Sequence, residues 1–345
     1  MRKPAVASAL LLGAALIFQL SPAAAQSVAE FYKDKQIKII IGNAAGGDYD
    51  IGGRILARHI GNHIPGNPTV IVQNMPGAST VTATNFLYNK APKDGTVFGS
   101  FSRNIASQAV IGKMNIEADP RKFGWVGGSS LPSRVCMVSA KSGVKSPEDV
   151  FTREVIVAGS GAGSSLSIVP AALNNLLGAK FKVVEGYQGS GAAMLALERG
   201  EVEGICHTHG VFQSHHAQMV KDGVLKILFH VEEADFHEDP SIPSIYEFAK
   251  TEKQKQMLRF LFSSTEFGRP YVTPPGVPAD RLAALRKAFA DALKDPALIE
   301  EAKKTSVDMT YRPPEELEKL VAALYATPKE TIEELEKIVP ASGLQ

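Results

Sequence analysis

Short apolar runs alternate with longer helical patterns along most of this chain, and that alternation restricts the fold more than any other feature. Residues 37–41 read as a strand, 52–63 as a helix, 69–73 as a β-branched strand, 80–89 as a helix and 96–100 as a strand. Strands separated by helices make βαβ units and predict a mostly parallel sheet with helices on both faces. A second block opens near 123–126 with the same grammar. Its strands are expected at 134–139, 155–158, 182–184, 204–206 and 225–231, and its helices at 165–177 and 191–199. Pro65-Gly66-Asn67-Pro68 and Pro92-Lys93-Asp94-Gly95 mark turns, and Ser146-Pro147-Glu148-Asp149 marks a helix start. After Pro274-Pro275-Gly276-Val277-Pro278 the pattern is helical, at 279–293, 296–304 and 313–339, with Leu282, Leu285, Phe289 and Leu293 as core positions.

Two of the expected strands run into glycine-rich turns that precede helices. The first is Gly42-Asn43-Ala44-Ala45-Gly46-Gly47; the second is Gly159-Ser160-Gly161-Ala162-Gly163-Ser164-Ser165. A helix start presents unpaired N–H groups and the positive end of the macrodipole, and glycine lets an anion approach them. Two such turns predict a clamp that holds a carboxylate from both sides. Asp48 and Asp50 stand at the first helix start, where capping is worth ~0.5–2 kcal/mol, a role compatible with lining the site. Arg103, just past the strand at 96–100, is the candidate side-chain cation at the rim where α/β folds bind ligands. A third turn, Gly186-Tyr187-Gln188-Gly189-Ser190-Gly191, offers further donors, with Tyr187 as a wall.

Other chemistry finds little support. Neither turn continues into the Lys-Ser/Thr of a P-loop, Gly159-x-Gly161-x-Gly163 is one residue short of a dinucleotide fingerprint, and no G-x-S-x-G elbow occurs. His207, His209, His215 and His216 fall within ten residues; they read as cleft-lining or solvated groups, with an exported enzyme acting on an organic acid through this cluster, or a metal carrier using it, as the alternatives. His59 and His63, one helical turn apart, read as an ordinary helix face. The 345 residues carry a formal net charge of +1, which argues against nucleic acid or an anionic membrane as partner. No cofactor is expected.

Arg2 and Lys3, the apolar run at 5–20 and Pro22-Ala23-Ala24-Ala25 have the order of a cleaved secretory signal, which predicts export after removal of residues 1–25. The remaining length suggests two domains of ordinary size. Cys136 and Cys206 are the only cysteines; in an oxidising compartment they either form a disulfide or stay as two buried thiols.

The order of these motifs resembles the tripartite tricarboxylate transporter substrate-binding proteins, the Bug or TctC family. The resemblance rests on 39–47 with Asp50 and Arg54, Gln73-Asn74-Met75-Pro76-Gly77-Ala78, Ala91-Pro92-Lys93-Asp94-Gly95-Thr96, 159–165, Gly186-Tyr187-Gln188-Gly189, Glu198-Arg199-Gly200-Glu201-Val202-Glu203 and Pro275-Gly276-Val277-Pro278. It implies a two-lobed periplasmic binding fold of type II, an α/β flytrap that closes on a small organic acid and hands it to membrane subunits of a transporter. Lobe 1 would be 26–124 plus 230–345 and lobe 2 would be 125–229, in a monomer that is not an enzyme. By position, Ala44, Ala45, Gly46 and Gly47 would meet the ligand from one side, with Gly161, Ala162, Gly163, Ser164 and Ser165 opposite. Tyr187, Gly189, His207 and His209 would line the second lobe. Two departures stand out: Ala44-Ala45 replaces the usual proline of the first turn, and Ser165-Leu166-Ser167 stands where a histidine is usual.

Overall fold

In the computed structural model, residues 27–112, 114–130, 133–161, 164–208, 217–233, 239–305 and 307–338 are described. The signal segment 1–25, Ala162, Gly163, His209, His215 and His216 lie outside them. The elements run α1 (Val28–Tyr32), β1 (Gln36–Ile41), α2 (Asp48–Ile60), β2 (Thr69–Asn74), α3 (Val81–Asn89), β3 (Val97–Ser100), α4 (Ile105–Ile111) and β4 (Gly124–Gly128). They continue with β5 (Arg134–Ser139), α5 (Asp149–Thr152), β6 (Val155–Ala158), α6 (Ser165–Leu177), β7 (Phe181–Val184), α7 (Gly189–Arg199), β8 (Gly204–Thr208), α8 (Ala217–Lys221) and β9 (Leu225–His230). The rest is α9 (Glu252–Phe267), β10 (Pro270–Thr273), α10 (Ala279–Ala292), α11 (Pro296–Thr305), α12 (Pro314–Tyr325) and α13 (Lys329–Ile338).

Two five-stranded sheets result, in the orders β2-β1-β3-β10-β4 and β7-β6-β8-β5-β9. β1 lies between β2 and β3 with parallel pairing on both sides, and Ile37, Ile39, Ile40 and Ile41 are all fully buried. A strand covered on both faces needs such a continuous apolar run. The sheets are mixed, however. β10 runs antiparallel to both β3 and β4, and β5 runs antiparallel to both β8 and β9. Neither antiparallel strand is reached by a crossover from the preceding strand of its own sheet, the connection that parallel pairing needs. β4 passes to β5 directly, and β10 follows α9 through Gly268 and Arg269 alone.

The two sheets repeat one plan, a central strand followed by a glycine turn and a helix, flanked by parallel neighbours. The pairing directions place the ends of β1, β2, β3 and β4 on one edge of the first sheet, and the ends of β6, β7, β8 and β9 on one edge of the second. β5 begins at that second edge. Only five residues separate Gly128 from Arg134, a reach of no more than about 20 Å, so the two glycine-bearing edges must lie close to each other. The strand Gly124–Gly128, which a boundary after residue 124 cuts so that 125–128 fall in the second lobe, pairs in the first sheet.

The sequence pattern shows no element between 231 and 274, yet α9 and β10 lie there. Met257, Leu258, Phe260, Leu261, Phe262, Ser263, Thr265, Glu266 and Phe267 are all buried, so α9 has no clear polar face to give a periodic signal. It packs on α6, α12 and α13, and Gln254 Nε2 donates to Leu176 O at 2.7 Å. The helix expected at 313–339 is two, divided at Thr327-Pro328, where proline cannot continue the ladder. His59 and His63 are not a bare face: they meet Glu301 at 2.8 Å and Asp295 at 3.0 Å across the α2–α11 contact.

Candidate functional site

Ala44, Ala45, Gly46 and Gly47 form an exposed turn at the end of β1, with Gly46 at φ +85°. Asp50 organises it from below. This carboxylate is 3% exposed and accepts from the Gly46 amide (2.8 Å), Arg54 Nε (3.0 Å) and Asn74 Nδ2 (2.8 Å). Burial alone would raise its pKa, but the bonds from Arg54, Gly46 and Asn74 outweigh burial and hold it below the ordinary value. Asp50 is thus an internal anion that fixes the turn. The cap position of α2 is Gly47, without a side-chain cap. Among the described residues, the amides of Ala44, Ala45 and Gly47 have no acceptor within the protein.

Arg269 secures the start of α2 to the crossing between the sheets. It is 1% exposed and donates through Nη1 to Asp48 O (3.1 Å) and through Nη2 to Ser129 O (3.2 Å). Tyr49 Oη accepts from the Arg103 amide at 3.1 Å, which fixes the loop after β3 beside the first turn. Next to Arg103 opens a cavity of about 220 Å³ lined by Ser79, Ser102, Asn104, Ile105, Gln108 and Met114. Its wall includes a strained stretch, with Ala78, Ser79 and Thr80 at φ 45°, 51° and 75°. Left-handed residues other than glycine cost of order 1–3 kcal/mol each and cluster at ligand sites. Thr80 Oγ1 accepts from the Ser102 amide at 3.0 Å and holds this stretch against the Arg103 loop.

The second turn carries its own anion as well. Glu185, just past β7, accepts from the Gly161 amide at 2.6 Å and from Ser167 Oγ at 3.0 Å, and Ser164 Oγ lies 3.0 Å from Ser167 Oγ. Gly161 has φ +110°, and Ser164 is the N-cap of α6, which begins at Ser165. A ligand carboxylate aimed at the Gly161 amide therefore meets an occupied donor. Tyr187 is partly buried against the core of the second sheet, its amide bonded to Gly159 O at 3.2 Å, and Gly189 (φ +82°) starts α7.

Arg134, which no motif flagged, is the first residue of β5. Its amide donates to Glu232 Oε1 at 2.8 Å, and its neighbour Val135 pairs with His207 on β8. Burial and the nearby Arg103 charge push Arg134 down to about 10, with Glu232 opposing. The Arg103 charge on the first sheet's loop is thus near enough to be felt at Arg134 of the second. Burial, then Arg134, lowers His207 to about 4, so its imidazole is neutral at neutral pH. No group of three or more metal-ligating side chains occurs among the described residues.

Two perturbed groups set an opposed pH response. His207 resists protonation in the fold, so its contribution to stability is lost as pH falls from 6.5 toward 4. Burial, with Arg312 opposing and Glu232 and Glu233 adding, raises Glu266 from 4.5 to about 7, so its contribution is lost as pH rises across that range. Each shift corresponds to about 3 kcal/mol at most, and less for the partly exposed His207. Glu266→Gln should expose a stability that rises between pH 4.5 and 6.5, and His207→Gln one that falls; urea midpoints at four pH values would show it. Parallel profiles for both variants would refute the assignment.

Residues 54–337 match the family model described as tripartite tricarboxylate transporter family receptor. A UPF0065 protein from the gbd 5′ region of Cupriavidus necator is 25% identical over 341 residues, covering 97% of this chain and 98% of that protein. Among solved structures, a ligand-free TctC solute-binding protein from Polaromonas superposes with TM-score 0.68 at 20% identity, over 88% of this chain and 99% of its own. The R. palustris protein Rpa4515, solved with adipate, superposes with TM-score 0.50 at 17% identity, over 88% and 97%. These neighbours share the two-lobed α/β periplasmic binding fold. With the family match spanning most of its length, the chain belongs to the tripartite tricarboxylate transporter receptor family, whose members bind substrates rather than convert them.

Proposed function

We propose that this protein is exported to the periplasm after loss of residues 1–25 and captures a small organic carboxylate between its two lobes as a monomer. It then delivers the acid to membrane subunits of a tripartite tricarboxylate-type transporter. The first lobe is built on β1–β4 and β10 and the second on β5–β9. The observation that carries this reading is that the short crossing from Gly128 to Arg134 brings the start of β5 close to the edge where β3 ends before Arg103, near enough for the two charges to interact. Two guanidiniums facing one another repel until an anion sits between them, and each can hold a carboxylate through two parallel N–H bonds. The open amides of Ala44, Ala45 and Gly47 supply further donors at the first turn. Adipate in the R. palustris neighbour is consistent with this ligand class.

Thermal-shift screening over mono-, di- and tricarboxylates tests the reading. One class of acid should stabilise the protein as RT ln(1 + [L]/Kd), about 2.7 kcal/mol at a hundredfold excess over Kd. A protein that no carboxylate stabilises at millimolar concentration is not the receptor described here.

A further inference from the structure

Glu185 is an exposed acid at the ligand-facing edge of the second sheet that the receptor reading leaves unused. It stands at the end of β7, on the edge where β6 ends in the Gly159–Gly161 turn, β8 ends beside His207 and β5 begins with Arg134. Its Oε2 is held by the Gly161 amide and Ser167 Oγ, so the carboxylate is oriented, while Glu185 itself is exposed. A carboxylate offers about four acceptor sites, and two are filled. No Lys, Arg or His among the described residues lies within ion-pair distance of it; the nearest basic residue on its own strand, Lys182, faces Glu154 at 3.6 Å.

The same edge therefore carries an acid just past β7 and a base at the start of β5, the latter with Glu232 against its backbone amide. In the order β7-β6-β8-β5, three strand steps separate Glu185 from Arg134, about 14 Å at the backbone. A gap of that size, less the length of the two side chains, is the span of a molecule a few carbons long. A second ligand carboxylate near β7 would meet Glu185 in place of a free donor. An ammonium there would find an acceptor already fixed in position.

Resting on the carboxylate-receptor reading above, we propose that Glu185 is a specificity-determining residue that selects acids whose far end carries an ammonium group, so that the ligand lies along the edge with its carboxylate at Arg134 and its amine at Glu185. The second glycine turn serves here as the mount of that acid.

The test compares 5-aminopentanoate with glutarate, equal in carbon number, within two series of amino acids and diacids from three to eight carbons, by calorimetric titration of the intact mature protein. The unmodified protein should bind its best amino acid at least tenfold more tightly than any diacid. Glu185→Gln should cut that ratio tenfold or more, Glu185→Asp should keep the preference, and Arg134→Gln should weaken both series alike. A wild-type preference for diacids, or a ratio that Glu185→Gln leaves unchanged, overturns the proposal while the receptor reading stands. Binding of no acid in either series overturns this inference, and the receptor reading falls with it only if the mono-, di- and tricarboxylate screen is silent as well. The wild-type ratio decides the question even where a variant folds poorly.

Discussion

Replacing Arg134 with glutamine should weaken carboxylate binding about a hundredfold while leaving the ligand-free protein folded. Hydrogen bonds to a charged group are worth ~1.5–3 kcal/mol each, and loss of a two-bond grip of about 3 kcal/mol corresponds to that factor in Kd. Arg134 begins β5, and its backbone bond to Glu232 survives the substitution. Arg103 no longer faces a like charge, so the free protein should not lose melting temperature. Arg134→Lys keeps the charge without the planar fork and should recover only part of the affinity. Calorimetric titration beside a thermal melt separates these outcomes. Unchanged affinity in Arg134→Gln would remove Arg134 from the site.

Loss of the Cys136–Cys206 bond should cost about 4 kcal/mol of stability. The two residues are direct partners in the β5–β8 ladder with Cα atoms 4.0 Å apart, and the bond closes a loop of 70 residues. Cross-linking so long a loop restricts the unfolded chain by an entropy worth roughly 4 kcal/mol. Both cysteines are buried, in contact with Val138, Phe229 and the surrounding core, so Cys136→Ala with Cys206→Ala adds a packing loss to the entropic one. Urea unfolding of the double variant, and of the native protein with and without reductant, gives the number. A difference under about 0.5 kcal/mol would mean that the bond restrains nothing.

Much of this fold was legible because its central strands are written as uninterrupted apolar runs. Residues 37–41 and 155–158 carry enough aliphatic content, and end in enough glycine, to mark a strand, a turn and a helix without further information. Pairing direction was not legible, since nothing local in Tyr271 or Val272 says that the chain returns antiparallel between β3 and β4. The helix Glu252–Phe267 went unread for the converse reason, its buried face extending most of the way round.

The site divides in the same way. Both turns were visible as anion-ready backbone, but sequence could not show that Asp50 and Glu185 already bond to them. Gly161 and Glu185 are 24 residues apart and meet only through the β6–β7 pairing. Arg134 was hidden for a similar cause. As a lone arginine at the start of an apolar strand it reads as an edge residue, and only the short crossing from Gly128 brings it near Arg103. A basic residue immediately after a short inter-sheet connection is the one signal that could have drawn attention to it.

The central claim is that both sheets grip one anion through Arg103 and Arg134. A double-mutant cycle tests it most directly, with calorimetric affinities for the best-binding acid in the native protein, Arg103→Gln, Arg134→Gln and the double variant. Two arginines sharing one carboxylate should show a coupling above about 1 kcal/mol. Additive losses, or affinities that neither substitution moves, would mean that the two sheets do not close on a common ligand.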